Sequence, residues 1–144
     1  MSSVKVNETM TRFPEVAFPG TTVEKAKAAM EKWGIRHLPV VDKNKVIGIV
    51  SERDLIAQNN AKPLRDLMST NVYQVHQDQY LVRVIAEMAE KKYGCAIVVD
   101  ESNEIVGIFT TIDALNLLCR LLGKHDHSKI KMLHLAWNSP DYMI

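Results

Sequence analysis

The chain alternates between apolar positions at helical spacing and short runs of β-branched residues. The first helix is predicted from apolar residues at helical spacing, which are Val23, Ala26, Met30 and Trp33. Gly34 provides its stop, and Thr21 with Glu24 forms a capping box at its start. Two apolar runs follow, at 38–41 and 46–50, and they predict a strand and its returning partner across a turn.

The same order of elements then occurs again. A helix is predicted from Ser51 to about Gln58, and an extended stretch at 16–18 supplies another strand before the first helix. Later in the chain, Leu81, Ile85 and Met88 share one helical face. Strands are predicted at 72–75, 96–100 and 105–109, and a helix at 111–122. The pattern predicts two βαββα units.

These units, which we call copy one and copy two, are duplicates. Met30 aligns with Met88 at an offset of 58 positions, and the same offset places 10–11 over 68–69. One extra residue enters the turn between the paired strands of copy two, and beyond it the two sequences align again. A single insertion in a turn is what a duplicated unit tolerates, so internal repetition defines the organisation of the chain.

The predicted fold class is α+β (α/β), with two βαββα units packed sheet to sheet about a pseudo-twofold axis. The units are expected at 4–58 and 63–122, followed by a C-terminal tail at 123–144. A unit of about 55 residues buries little surface by itself, and the separator between the copies is short. The two units are therefore expected to share one core.

Composition narrows the classes of function. The 144 residues are 47% hydrophobic and 24% charged, and the formal net charge is +1. The composition is that of an ordinary globular protein, and a net charge this close to zero does not indicate electrostatic binding to nucleic acid or to an anionic membrane. The N-terminus lacks a signal-peptide core and no apolar run reaches the roughly 20 residues of a membrane span, so a cytoplasmic location is expected. Cys95 and Cys119 have no metal or disulfide spacing and are expected to fill core positions.

The clearest candidates for functional residues lie where the last strand of each copy ends. Ser51 and Asp54 have the same spacing as Thr110 and Asp113, and both pairs follow a glycine and two apolar residues. A helix N-terminus offers free amides to an anion, and an ionised aspartate accepts hydrogen bonds from the two hydroxyls of a ribose. Taken singly, each pair is explained as a helix cap. Recurrence at the same point of both copies favours a binding site.

The segments around these pairs resemble cystathionine-β-synthase (CBS) domains. In copy one the resemblance rests on 35–42 and 48–54, and in copy two on 94–100 and 107–113. It covers about 4–122, and a tandem pair of this kind is a Bateman module. The resemblance implies two clefts that bind AMP, ADP, ATP or S-adenosylmethionine, with no required cofactor. It also implies a disc-shaped homodimer that regulates an effector protein in trans.

The resemblance assigns roles to residues by their position. It implies that Asp54 and Asp113 bind ribose, with Ser51 and Thr110 near the ribose or phosphates. It further implies that two segments contact adenine through their backbone, namely Arg36, His37, Leu38 and Pro39 in copy one and Gly94, Cys95 and Ala96 in copy two.

The two copies differ where phosphate would bind. The resemblance places Thr11 and Thr70 near the ligand. Arg36 and Arg53 are candidate phosphate partners, because a guanidinium pairs bidentately with phosphate oxygens. Copy two has Ile112 at the position of Arg53, so the sites are expected to be unequal and copy two to hold polyphosphate less well.

The tail lies outside the resemblance. Its His125, Asp126 and His127 favour a solvated loop over a metal site, because two histidines two positions apart are a weak ligand set, and no metal is expected. Ser128 is in position to cap a short helix.

Three classes of function follow from these observations. The leading interpretation is a non-catalytic nucleotide sensor, and the alternative is an assembly module without a ligand. The leucine stripe, defined as Leu115, Leu118 and Leu122, is interpreted as core or dimer surface. An enzyme is disfavoured, because the sequence has no Ser/His/Asp set, phosphate loop with lysine or clustered carboxylates.

Overall fold

The computed structural model describes residues 3–123 and contains two mixed units of helix and sheet. Its α-helices are α1 (Val23–Trp33), α2 (Leu81–Lys91) and α3 (Thr111–Gly123). Its strands are β1 (Thr11–Arg12), β2 (His37–Asp42), β3 (Lys45–Ser51), β4 (Gln74–His76), β5 (Cys95–Val99) and β6 (Ile105–Thr110). Single 3-10 turns cover Val6–Glu8, Arg53–Leu55 and Leu64–Asp66. The tail at 124–144, with its predicted loop and helix, lies outside the described residues.

Each copy contains an antiparallel hairpin and a helix that packs on it. In copy one, β2 pairs with β3. In copy two, β5 pairs with β6, and the sheet is extended to the order β1-β6-β5-β4. Helix α1 buries Val23, Ala26 and Met30, and Gly34 ends it in the left-handed conformation with φ 63°. The predicted hairpins and this helix stop are confirmed.

The first segment of each copy packs on the other copy. Val6 and Met10 lie in the core of copy two, and β1 pairs with β6. Leu64 lies in the core of copy one, and Ser69 bridges Ile49 of β3. The two units are therefore interlocked.

The two sheets pack face to face through a third apolar cluster. Its buried members come from copy two and are Cys95, Ile97, Val99 and Ile108. Val46 and Ile49 of β3 pack against them. Sheet-to-sheet packing in a mixed α/β fold is therefore confirmed. None of the helices within 3–123 is both long and apolar enough to cross a bilayer.

The helix predicted from Ser51 to about Gln58 is wrong in length. A single 3-10 turn covers Arg53–Leu55, and Ala57 then adopts a left-handed φ of 63°. The chain turns here so that the carbonyls of Asn60 and Lys62 accept the first amides of α1, at 3.0 and 2.9 Å. Tertiary hydrogen bonding thus ends the helix that the local sequence favours.

Two further local predictions differ from the structure near α1. The N-cap is Thr22, whose side chain accepts the Lys25 amide at 3.3 Å, while the Thr21 hydroxyl accepts the Phe18 amide of the preceding turn at 3.0 Å. The strand predicted at 16–18 is one parallel bridge between Ala17 and Val40. Pro14 and Pro19 flank it and donate no backbone hydrogen bond, which limits pairing.

Candidate functional site

Both predicted serine or threonine and aspartate pairs form reciprocal caps. The Ser51 amide donates to Asp54 Oδ2 at 2.8 Å, and the Asp54 amide donates to Ser51 Oγ at 3.3 Å. Thr110 and Asp113 repeat this geometry at 2.9 and 3.1 Å. The capping explanation is therefore physically present in both copies. Each cap uses only Oδ2 of its aspartate, and an ionised carboxylate retains further acceptor sites on the other oxygen.

Asp113 is also joined by a residue from the other end of the chain. Strand β1 pairs Thr11 with Ile108 of β6, and the Thr11 hydroxyl donates to Asp113 Oδ1 at 3.4 Å. Thr11, which the resemblance places near the ligand, thus lies beside Asp113, one of the two candidate ribose-binding residues. The hydroxyl and the carboxylate together form a polar group at the first turn of α3.

Thr70 has no corresponding contact with Asp54 among residues 3–123. Its backbone carbonyl accepts the Val72 amide at 3.1 Å, and its side chain is exposed. Ser69 takes the place that Thr11 has in the other copy, because it bridges Ile49 of β3. The offset of 58 relates Thr11 to Ser69, so this signal was available in the sequence.

A cavity of about 130 Å³ lies between the two sheets. Its lining comes mainly from copy two, with two residues from copy one: Asn71, Val72, Tyr73, Tyr93, Gly94, Cys95, Ile97, His37 and Ile49. Of these, only His37, Gly94 and Cys95 were singled out from the sequence as site residues. Of the others, Asn71 is polar and the rest have apolar or aromatic side chains that carry no chemical signal of their own, which is why sequence reasoning missed them.

His37 reaches from copy one to the start of β5 in copy two. A Cβ atom on Gly94 would lie 2.8 Å from its Nε2, so the ring packs directly against the glycine backbone. Burial lowers the pKa of His37, the charge of Asp54 opposes this shift, and Arg36 adds to it. The imidazole is therefore held toward its neutral form, in which one ring nitrogen donates and the other accepts.

The cap of copy two adjoins this cavity. The Thr111 amide donates to the carbonyl of Gly94 at 3.1 Å, and Thr110 pairs with Cys95 across β5 and β6. Gly94 and Cys95 both line the cavity. The Asp113 carboxylate thus belongs to the turn that begins at the cavity wall.

The segments assigned to adenine contain several buried side chains. Leu38 and Ala96 are 1% and 0% exposed, and Pro39 is also buried. Burial raises the pKa of the Cys95 thiol to about 12, so this thiol stays protonated and is a poor nucleophile. Cys119 is exposed, so its predicted core position is wrong. The side chains of Leu38, Pro39 and Ala96 are therefore not accessible to a ligand in this structure.

Cationic side chains are concentrated on copy one. Arg36 Nε lies 3.6 Å from Glu52 Oε2 in an exposed ion pair, and Arg53 is exposed in the 3-10 turn that contains Asp54. An exposed pair of this kind is weak, so a phosphate can take the place of Glu52 beside the guanidinium. Copy two has Gly94 at the position of Arg36.

One group of side chains away from this cavity has metal-ligand chemistry. Ligand atoms of His76, Asp78 and Glu101 lie within 4.8 Å of one another, and all three residues are exposed. His76 Nδ1 already accepts the Asp78 amide at 3.1 Å. The neutral imidazole therefore carries its proton on Nε2, 3.5 Å from Glu101 Oε1, and neither nitrogen offers a free lone pair in this arrangement.

Comparison with known proteins identifies the family. The model of the CBS domain family matches twice, at 5–59 and 64–120. The chain belongs to the CBS domain family. It carries a tandem pair of CBS domains, as the sequence resemblance predicted.

Solved structures of CBS domain pairs and related proteins share this fold. A Vibrio cholerae protein with a proposed role in acetoin utilization, AcuB, superposes with a TM-score of 0.79 at 36% identity, over 86% of this chain and 96% of its own. The CBS domain pair of protein MJ0100, solved with 5′-methylthioadenosine and S-adenosyl-L-methionine, gives 0.73 at 29% identity over 80% and 95%. CBSX2, solved with AMP, gives 0.72 at 25% identity over 81% and 97%.

Curated sequence relatives are longer than this chain. It is 31% identical over 110 residues to protein MJ1232 of Methanocaldococcus jannaschii, which covers 75% of this chain and 37% of that protein. It spans 23% of an L-aspartate semialdehyde sulfurtransferase and 29% of an inosine-5′-monophosphate dehydrogenase from the same organism. The CBS pair is thus similar to one part of several larger proteins.

Proposed function

We propose that this CBS pair binds adenosine nucleotides without catalysing their conversion and transmits the bound state to a partner protein. The observation that carries the proposal is the Asp113 carboxylate, which accepts the Thr110 amide and the Thr11 hydroxyl. Its turn is joined to the cavity wall by the hydrogen bond from the Thr111 amide to the Gly94 carbonyl. Such a carboxylate is suited to a ribose diol, and the mainly apolar and aromatic lining of the cavity is suited to a base. Bound 5′-methylthioadenosine, S-adenosyl-L-methionine and AMP in similar structures support adenosine as the common element.

The chemistry of the described residues supports binding over catalysis. Both aspartates engage backbone amides in their caps. Burial raises the pKa of the Cys95 thiol, which removes the thiolate that a nucleophile requires. Residues 3–123 present no activated nucleophile paired with a general base at the cavity.

Ligand binding is tested by thermal unfolding with a panel of AMP, ADP, ATP, S-adenosylmethionine and adenosine. A ligand at about one hundred times its dissociation constant adds roughly 2.7 kcal/mol to stability, a clear rise in Tm. The double variant Asp54→Ala and Asp113→Ala is expected to lose the shift, whereas the control Asp66→Ala, at an exposed turn, keeps it. A shift that persists in the double variant contradicts the assigned site. Conversion of the nucleotide during the experiment contradicts the non-catalytic function.

The assembly module remains a second candidate because of the leucine stripe on α3. Leu115, Leu118 and Leu122 are 56%, 49% and 62% exposed and lie at helical spacing. Apolar surface of this kind gains free energy when a second copy covers it. We propose that the chain forms a homodimer through α3, and that this assembly is the whole function if no member of the panel shifts the Tm.

A further inference from the structure

His37 is a titratable residue in the wall of the cavity between the sheets. It begins β2, where it pairs with Ser51 of β3, and its ring packs against the backbone of Gly94 in copy two. Ile49 is the other residue of copy one in the lining. Within residues 3–123, no hydrogen bond holds the ring nitrogens of His37. A proton that His37 gains is therefore gained at the surface of the candidate binding cavity.

The surroundings of His37 disfavour its protonated form. The charged and titratable groups that face it are Arg36 with its partner Glu52, and Asp54, from copy one, and Tyr73, Tyr93 and Cys95 from copy two. Burial lowers the pKa of His37, the charge of Asp54 opposes this shift, and Arg36 adds to it. Burial raises the pKa of the Tyr73 hydroxyl and of the Cys95 thiol, so neither supplies a negative charge to an imidazolium.

An adenosine compound in the cavity acts against this proton in two ways. Its base displaces water from the imidazole, and a cation without water is unfavourable. Its ribose hydroxyls donate to Asp54, whose Oδ1 is not used by the cap with Ser51. A carboxylate that accepts these hydrogen bonds attracts a nearby imidazolium less strongly.

We propose that a proton on His37 and an adenosine compound in this cavity exclude each other, so that acid weakens binding. This regulation rests on the proposed function, because it concerns the same site. By linkage, the proton disfavours the ligand by the same free energy by which the ligand disfavours the proton. Since His37 packs on Gly94 of the other copy, protonation also places a charge in the contact between the copies.

The test is isothermal titration of the full chain with adenosine at about pH 7.5 and about pH 5, which span the range in which histidine titrates. Adenosine is chosen because a phosphate group such as that of AMP titrates near pH 6 and adds a pH dependence of its own. The affinity is expected to fall about threefold or more at the lower pH. Binding near pH 6 is expected to release protons, measured from titrations in two buffers of different ionisation enthalpy.

His37→Gln removes the titrating group and is expected to bind adenosine equally at both pH values, whatever its absolute affinity. His76→Gln, at an exposed histidine away from the cavity, is the matched control and should keep the loss at low pH. A loss that persists in His37→Gln overturns the proposal, and so does an affinity of the unmodified chain that is equal or higher at the lower pH.

A second measurement needs no variant. The pH titration of the His37 ring, followed by NMR in the unmodified chain, is expected to move to lower pH by about half a unit or more with saturating adenosine. A titration that does not move overturns the proposal. Absence of adenosine binding at both pH values also overturns it, whereas the proposed function fails only if AMP and the rest of the panel leave the Tm unchanged as well.

Discussion

At the scale of single residues, His37 has the most unusual environment. It follows Arg36, lies near Asp54, and packs its ring on Gly94 of the other copy. Its position in the sequence identifies only the segment to which it belongs. Its contact across the pseudo-twofold axis arises from sheet packing, which the local sequence does not specify.

The lowered pKa of His37 makes stability depend on pH. The ordinary value is 6.5, and burial sets the folded value below it. At pH values between the folded and the unfolded pKa of His37, the unfolded chain binds more protons than the folded chain. The free energy of unfolding therefore falls as the pH drops through this window, and the contribution of His37 is fully present above it. Denaturant unfolding at about pH 7.5 and about pH 5.5 is expected to show a smaller pH-dependent loss for His37→Gln than for the unmodified chain.

His76→Gln, at an exposed histidine, is the control for that experiment. This variant is expected to retain the pH dependence of stability that His37 causes. An unchanged pH dependence in His37→Gln would show that burial of this imidazole does not affect folding.

At the scale of elements, the close approach of crossing segments determines where glycine is required. A Cβ atom on Gly48 of β3 would lie 2.8 Å from Met68 Cγ and 3.1 Å from the Ser69 carbonyl oxygen. Gly48→Ala is therefore expected to cost about 1–3 kcal/mol of unfolding free energy, measured by denaturant titration. Gly20→Ala is the matched control, since its nearest neighbour would be Arg65 Nη1 at 3.8 Å. Equal stabilities of the two variants would contradict the tight crossing.

The leucine stripe of α3 is the element-scale feature on which assembly depends. Leu118→Lys places a charge in the middle of this apolar face and is expected to convert a dimer to a monomer, measured by light scattering after size-exclusion chromatography. Arg120→Ala, on the same helix, should leave the mass unchanged. A dimer that survives Leu118→Lys at low micromolar concentration would place the interface elsewhere.

Local signals predicted the elements better than they predicted the packing. The two copies, the hairpins, the Gly34 stop and the caps at Asp54 and Asp113 follow from short-range patterns of hydropathy and capping. The short 3-10 turn after Ser51 does not follow from such patterns, because it depends on the first amides of α1 donating to backbone carbonyls of 60–62. Tyr73 and Tyr93 were not identified, since only the packing of the two copies brings them to the cavity. Ser69 was missed although the offset of 58 relates it to Thr11.

At the scale of the whole molecule, duplication provides two equivalent positions and sequence divergence makes them chemically different. The interlocked segments, and the cluster in which Ile97 and Ile108 of copy two pack against Val46 and Ile49 of copy one, hold the copies together. A ligand changes the shape of such a module only if it binds two conformations with different affinity. Position between the sheets makes the cavity suited to that role.

The central claim is that adenosine compounds bind between the two CBS copies, and hydrogen exchange tests it most directly. Amide exchange of the full chain is followed by mass spectrometry with and without a saturating mixture of adenosine and AMP. Binding is expected to slow exchange in peptides that cover 71–73, 93–97 and 110–113, and around Asp54, while 101–104 in the distant hairpin turn stays unchanged. Unchanged exchange at all of these segments, or protection confined to other regions, would contradict the account.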